Sequence, residues 1–408
     1  MNEAVPPRIL LADADAFYVS VARLVDPAGA GRAALLIVGG SAERRGVVTS
    51  ASYEARAFGV HSAMPMARAI RLCPDALVVP VPWEACVEQS RDIKRALTDF
   101  TPAVEQASSD EFYLDLSGTE RLYRGEPLTE TARRIRATVQ QATRLTVSIG
   151  GGTSKVVAKL AAGAAKPAPA GTGDGVWVVE PGAEIAFMQR FSLAEIPSVG
   201  PRFQERLAKF GLRRVDDVLR HERRTLAAWL GERESAWLYD RVRGIDAGLV
   251  DARGEAQSIS RDDTFPADVG DDAGLERLLL ERVDTATSDL RESGLLTRTI
   301  TVKLRDADFT TRQASRTLTE AVCSTRAVYQ VARELLAKLR KARRVPARLI
   351  GVALSGLVRV DVGTQLSLLD AESDGIESER DRALSRALDE IRGKFGRDKL
   401  GFGTTEDS

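Results

Sequence analysis

The sequence predicts a multidomain α+β chain, and three observations carry that prediction. From Arg8 to Tyr113 short apolar runs alternate with helical patterns, which reads as strands layered with helices. From Gln257 to Leu357 the signals follow the order β-α-β-β-α-β, a self-contained supersecondary unit. Between them, Lys166-Pro167 and the Ala, Pro and Gly residues through Gly175 read as a linker, so a domain boundary belongs there. The length of 408 residues is ample for two to four such domains with real cores.

In the N-terminal part the strand candidates are Ile9 to Ala12, Ala34 to Val38 and Ala76 to Val81. Pro127 to Ala142 has a helical pattern and Thr146 to Gly150 that of a strand. The glycine patch Gly150-Gly151-Gly152 then leads into a helix around Lys155 to Ala165. Further on, Ile196-Pro197-Ser198-Val199-Gly200-Pro201 precedes an amphipathic stretch, Arg202 to Gly211, with Phe203, Leu207 and Phe210 on one face. A short turn that offers backbone N–H groups and a helix N-terminus to a phosphate is the physics of a helix-hairpin-helix DNA clamp. An ordinary proline-started helix explains the same residues.

In the C-terminal unit Ile300, Val302 and Leu304 alternate with Thr299, Thr301, Lys303 and Arg305, a strand with one apolar and one polar face. Thr311 to Leu318 can pair with it as a hairpin. Helices over Ala273 to Glu292 and Glu320 to Lys341, with outer strands near Ser258 to Phe265 and Leu349 to Leu357, complete the unit. The expected result is a sheet with helices on one face and Lys303, Arg305, Arg312 and Arg316 exposed on the other. That face suits a duplex backbone or is simply a solvated charged surface.

Lys plus Arg and Asp plus Glu both number 58, so net charge makes no global case for nucleic acid. Between Arg298 and Arg359, however, 14 Lys or Arg face four acids, a local basic excess. The three cysteines are widely spaced, against a zinc ribbon or disulfide framework. Only His61 and His221 are available, which leaves little material for imidazole catalysis or a multi-histidine metal site. No apolar run approaches the length of a bilayer span and the N-terminus lacks a signal region, so a cytoplasmic location is expected.

Oxygen-ligand metal chemistry has its raw material in three acids. Asp13 ends the first apolar run, and Asp110-Glu111 sit where the chain should turn into the strand around Tyr113 to Leu116. Hard cations such as Mg2+ take oxygen ligands and keep waters, so converging carboxylates plus substrate phosphates make a phosphoryl-transfer site.

With Asp13-Ala14-Asp15-Ala16-Phe17-Tyr18, the segment Thr49 to Val60 (TSASYEARAFGV) and Ser109-Asp110-Glu111, the chain resembles Y-family DNA polymerases, of the bacterial DNA polymerase IV type, from about Ile9 to Leu369. The resemblance implies a right-hand architecture. It places a ferredoxin-like palm at 6–18 and 80–168, small fingers at 19–79, and a helical thumb with a helix-hairpin-helix at 169–242. A linker at 243–255, a little finger at 256–360 and a tail at 361–408 follow. It implies a template-directed polymerase for damaged templates, without proofreading, acting as a monomer on primer-template DNA and deoxynucleoside triphosphates.

By the same resemblance Asp13, Asp110 and Glu111, with the Ala14 carbonyl, hold two Mg2+ ions. Tyr18 lies beneath the sugar of the incoming nucleotide, and Ser50, Tyr53, Arg56 and Lys159 contact its triphosphate. Ser198 and Gly200 belong to the DNA-contacting hairpin, and Gln365, Leu366, Leu368 and Leu369, within residues 365–370, resemble the peptide that binds the sliding clamp. Departures from the family pattern include Phe112 after the Asp-Glu pair, where a small residue is usual, and Ser198, where the hairpin usually has glycine; Ser109, Ser50, Gly163 and Arg23 also differ from the usual residues. Two other readings use the same residues: a noncatalytic family relative acting as a scaffold between clamp and repair proteins, and a metal-dependent nuclease.

Overall fold

The computed structural model describes residues 5–167, 173–252, 254–359 and 376–396. Two compact units emerge, residues 1–42 with 46–254 and residues 255–408 with 43–45.

The first unit is built on a five-stranded sheet and a three-stranded one. In chain order come β1 (Ile9–Ala14), α1 (Phe17–Val25), β2 (Leu36–Gly39), β3 (Val48–Ala51), α2 (Tyr53–Arg56), α3 (Met66–Leu72), β4 (Leu77–Val79) and α4 (Trp83–Thr98). β5 (Val104–Gln106), β6 (Glu111–Asp115), α5 (Leu128–Thr143), β7 (Val147–Gly152), α6 (Lys155–Ala165) and β8 (Val176–Val178) follow. The larger sheet has the order β5-β6-β1-β7-β8, antiparallel except for β7 beside β8, and the smaller one the order β3-β2-β4.

Strand periodicity divides β1 between two cores. Leu10, Ala12 and Ala14 pack with Phe112, Leu114, Ile93, Leu97, Ile135 and Val139 beneath α4 and α5. Ile9 and Leu11 pack with Tyr113, Ala158 and Ala162 under α6. Asp13 therefore points to the α6 side, as does its register partner Glu111. Phe112 lies on the opposite face, fully buried. The bulk that departs from the family pattern thus fills the core behind the acids and leaves the space around them free. Its parity, which sequence position alone fixes, decides this.

Gly150 explains how closely α6 approaches. A Cβ there would lie 1.9 Å from the Ala162 nitrogen and 2.2 Å from the Ala158 carbonyl oxygen, so any other residue would lift the helix, and its lysines, off the sheet.

The segment expected as a thumb runs through α7 (Glu184–Met188), a 3-10 turn at Leu193–Glu195, α8 (Pro201–Ala208), α9 (Val215–Leu219), α10 (Arg223–Leu230) and α11 (Glu232–Arg241). Leu193, Ile196, Leu207, Leu226 and Leu238 share one core with Val157 and Leu160 of α6. Gly200 caps α8 with Pro201 at its first position, as both the hairpin reading and an ordinary proline-started helix expect. Ser198 adopts φ 73°, the left-handed region where a Cβ is strained. Ser198→Gly should therefore stabilise the unit by about 1 kcal/mol, read as a higher denaturant midpoint; an unchanged or lower midpoint would contradict this strain.

The second unit contains β9 (Ser258–Val269), α12 (Asp272–Glu292), β10 (Leu295–Asp306), β11 (Thr311–Val322), α13 (Thr325–Ala342), β12 (Ala347–Arg359) and α14 (Glu379–Phe395). The β-α-β-β-α-β order holds, in a sheet ordered β11-β10-β12-β9. Ile300, Val302 and Leu304 bury against Leu279, Val283, Val331 and Leu335 of the two long helices. Side-chain caps by Asp271 and Ser324 start those helices.

The expected basic face needs correction. The β10–β11 register pairs Leu304 with Arg312 and Ile300 with Arg316, so these arginines lie on the helix side. Arg312 forms a two-pronged ion pair with the fully buried Asp306 and donates to the Leu339 and Arg343 carbonyls. Arg316 pairs with Glu334 of α13. The open face instead carries Lys303, paired with Asp262, Arg305, bonded to Thr311, and the cross-strand hydroxyl pairs Thr299–Thr317 and Thr301–Ser315. The odd-numbered positions of β10 share a face with odd positions of β11, and Arg312 and Arg316 have the other parity.

The peptide Gln365 to Asp370 lies outside the described residues. Within the tail, α14 docks through the ion pairs Asp381–Arg326, Asp389–Arg291 and Arg392–Asp284. No helix among the described residues is long and apolar enough to cross a membrane.

Candidate active site

Pairing of β1 with β6 places Asp13 opposite Glu111, and the Ala14 N–H donates to the Asp110 carbonyl at 2.9 Å. Residues nearly a hundred positions apart thus meet at one end of the sheet, with Asp110 in the bend that starts β6. Asp13 is part of β1, one residue deeper than a strand-end reading places it.

The side chains do not converge on one point. Among the described residues no three His, Cys, Asp or Glu side chains gather closely enough to hold a metal. Each carboxylate is instead matched with its own partner. Asp13 Oδ1 accepts from Lys166 Nζ at 3.0 Å, both Glu111 oxygens accept from Lys159 Nζ at 2.9 and 2.7 Å, and Asp110 accepts from the Ser108 hydroxyl at 2.6 Å. Two ammonium groups reaching over from α6 and its C-terminal end thus pair with Glu111 and Asp13, and Asp110 keeps only a hydroxyl partner.

Electrostatics show what this acid cluster demands. Burial raises the Asp13 carboxyl to about 6; Lys166 pulls the other way, while the charges of Glu111 and Asp110 add to the rise. Burial by itself would lower Lys166, but Asp13 overrides it and the ammonium is held above its ordinary value. Asp13 and Glu111, register partners with mostly covered side chains, offer hard oxygens of the kind a divalent cation takes, and a single ammonium matches such an ion's charge only in part.

The nucleotide candidates lie on neighbouring elements. Tyr18 sits at the start of α1, half-buried, edge-on to Phe17 and Trp83 with ring centroids 5.2 and 6.1 Å away. Ala16, before it, has φ 45°, so the chain turns sharply between the acids and the helix. Ser50 is buried on β3. Arg56 is pinned by donation to the Ala51 carbonyl at 2.9 Å and lies over the Tyr53 ring at 5.1 Å. The Tyr53 hydroxyl is buried without a hydrogen-bond partner. Burial raises its pKa, the Asp15 charge adds to this, and Lys166 opposes it. A protonated donor with no partner awaits an acceptor, as a phosphate would be.

Sequence reading placed Lys159 among the phosphate contacts and passed over Lys166, which begins the expected linker. The structure pairs Lys159 with Glu111 and puts Lys166 within the electrostatic reach of Asp13, Asp15 and Tyr53. The spacing of seven residues from Lys159 to Lys166, two helical turns along one face, was the available signal. His61 bonds to its neighbour Ser62 and His221 lies against Trp229, so neither serves this cluster.

A mixed sheet with paired acids at one end of its central strands, lysines bonded to those acids and a separate β-α-β-β-α-β unit fit the class of nucleotidyl-transfer polymerases. Comparisons with known proteins agree. The impB/mucB/samB family matches residues 12–163 and its C-terminal domain residues 256–368. DNA polymerase IV of Halorhodospira halophila is 37% identical over 350 residues, covering 86% of this chain and 95% of that one. The Caulobacter vibrioides DNA polymerase IV is 35% identical, covering 94% and 90%. Among solved structures, a Y-family DNA polymerase chimera superposes with a TM-score of 0.75 at 25% identity, covering 86% of this chain and 99% of that one. The insertion ternary complex of Dbh DNA polymerase has a TM-score of 0.60 at 25% identity, with the same coverage. The chain belongs to the impB/mucB/samB family, the Y-family DNA polymerases of the DNA polymerase IV type, and its fold comprises their palm, fingers, thumb and little finger.

Proposed function

We infer that this chain is a template-directed DNA polymerase of the translesion type, which extends a primer 3′ end with deoxynucleotides. The observation that carries the mechanism is the pairing of β1 with β6, which sets Asp13 against Glu111 with Asp110 adjacent. Two Mg2+ ions held by Asp13, Asp110, Glu111 and the Ala14 carbonyl would supply a lowered pKa for the primer hydroxyl and charge compensation for the triphosphate and departing pyrophosphate.

The protein's own groups do the rest. Lys159 and Lys166 release their carboxylates and turn their charge toward the triphosphate. Tyr53 donates its unused hydroxyl and Arg56, held by Ala51, presents a fixed guanidinium to non-bridging oxygens. Ser50 adds a hydroxyl beside them. Tyr18 stacks below the sugar, braced by Phe17 and Trp83. Ser198 and Gly200 offer the hairpin turn to a DNA backbone, and in the second unit the open sheet face offers Lys303 and Arg305 to phosphates. Arg312 and Arg316 serve the internal ion pairs instead.

Primer extension with Mg2+ and deoxynucleotides tests this reading: extension along the template supports it, whereas no reaction points to a scaffold and strand cleavage to a nuclease. Recruitment to a sliding clamp through Gln365, Leu366, Leu368 and Leu369 completes the proposal. Deleting residues 365–370 should abolish clamp-stimulated synthesis and spare basal extension; equal stimulation of both forms would exclude the peptide.

A further inference from the structure

Asp15 lies between the metal-facing Asp13-Ala14 pair and the left-handed Ala16, and the mechanism above leaves it unused. The residue is only 6% exposed. Three bonds tie the residue down: its N–H donates to the Thr146 carbonyl at 2.9 Å, its carbonyl accepts from the Ser20 hydroxyl at 2.8 Å, and Oδ1 accepts from the Ser148 hydroxyl at 2.7 Å. The second oxygen, Oδ2, is buried without any hydrogen-bond partner. Leaving a buried carboxylate oxygen unbonded costs free energy, and the more so next to a pocket for an anionic triphosphate.

The neighbouring cation accounts for it. Lys166 Nζ is bonded to Asp13 Oδ1 at 3.0 Å, and the Asp15 charge is also felt at Lys166 and at Tyr53. A divalent ion taking Asp13 Oδ1 would displace this ammonium from that oxygen. We propose that Asp15 is a positioning residue whose free Oδ2 receives Lys166 when a metal ion takes Asp13, keeping the ammonium beside Tyr53 on the triphosphate side. The exchange is a hydrogen-bond shift of one ammonium between two carboxylates two residues apart, with no covalent change. This rests on Asp13 being a metal ligand.

The test is Mn2+ binding to the full chain, followed by the electron paramagnetic resonance of the free ion, which needs no turnover. Asp15→Asn keeps the size and the Ser148 contact but removes the receiving charge, so Mn2+ affinity should fall roughly tenfold, the scale of one charge-assisted hydrogen bond. Lys166→Ala leaves nothing to displace, so in that background Asp15→Asn should change affinity less than twofold. An equal loss in both backgrounds would mean that Asp15 acts directly on the ion or merely shapes the turn, and would overturn the proposal. So would an undiminished affinity in Asp15→Asn alone. Ser148→Ala, which removes the Oδ1 partner and leaves Oδ2 intact, should hold affinity within about twofold; a loss as large as that of Asp15→Asn would assign a structural role. Thermal melts of each variant identify unfolded protein. If the unaltered chain binds no Mn2+, the metal-site reading itself fails, an outcome distinct from the others.

Discussion

Asp110→Ala should reduce primer extension by about a thousandfold or more while leaving the protein folded. A metal ion at a reacting phosphoryl group contributes several kcal/mol of transition-state stabilisation, and each 1.4 kcal/mol is about a factor of ten. The fold should survive because Asp110 lies in the bend before β6, and among the described residues its side chain bonds only to Ser108 within the same bend. Single-turnover extension with an unchanged melting temperature would establish this. Retention of more than a tenth of the rate would remove Asp110 from the site. Asp13 and Glu111 are less clean targets, since each also holds a lysine of the α6 region and its loss frees that charge.

Tyr18→Ala should open the site to ribonucleotides. Edge contacts to Phe17 and Trp83 support the ring in the place where the proposed site would meet a 2′-hydroxyl. Removing it deletes the steric block without touching an acid or a phosphate contact. The ratio of kcat/KM for deoxy over ribonucleotide should therefore fall on the order of 100-fold, with deoxynucleotide incorporation retained. An unchanged sugar preference would show that selection lies elsewhere, for instance in the backbone near Ala16.

Much of this molecule could be read along the chain. Periodicity located α6 to the residue, placed α5 and β7 within two residues, and gave the β-α-β-β-α-β order of the second unit. Those signals are local, since a helix or strand writes its buried face at its own spacing. The little-finger surface was harder. Knowing that β10 and β11 pair does not say which residue opposes which, and the register sent Arg312 and Arg316 to buried and helix-side partners.

The acids follow the same division. Residue chemistry and the order of three short motifs singled out Asp13, Asp110, Glu111 and the phosphate-contact candidates, because oxygen donors and fixed cations are properties of side chains as such. Only the tertiary structure could show that β1 and β6 run side by side, that Gly150 lets α6 settle onto the sheet, and that Lys166 and Asp15 belong to the same cluster. Neighbourhood in space arises from strand pairing and close packing between distant segments, and no local pattern encodes it.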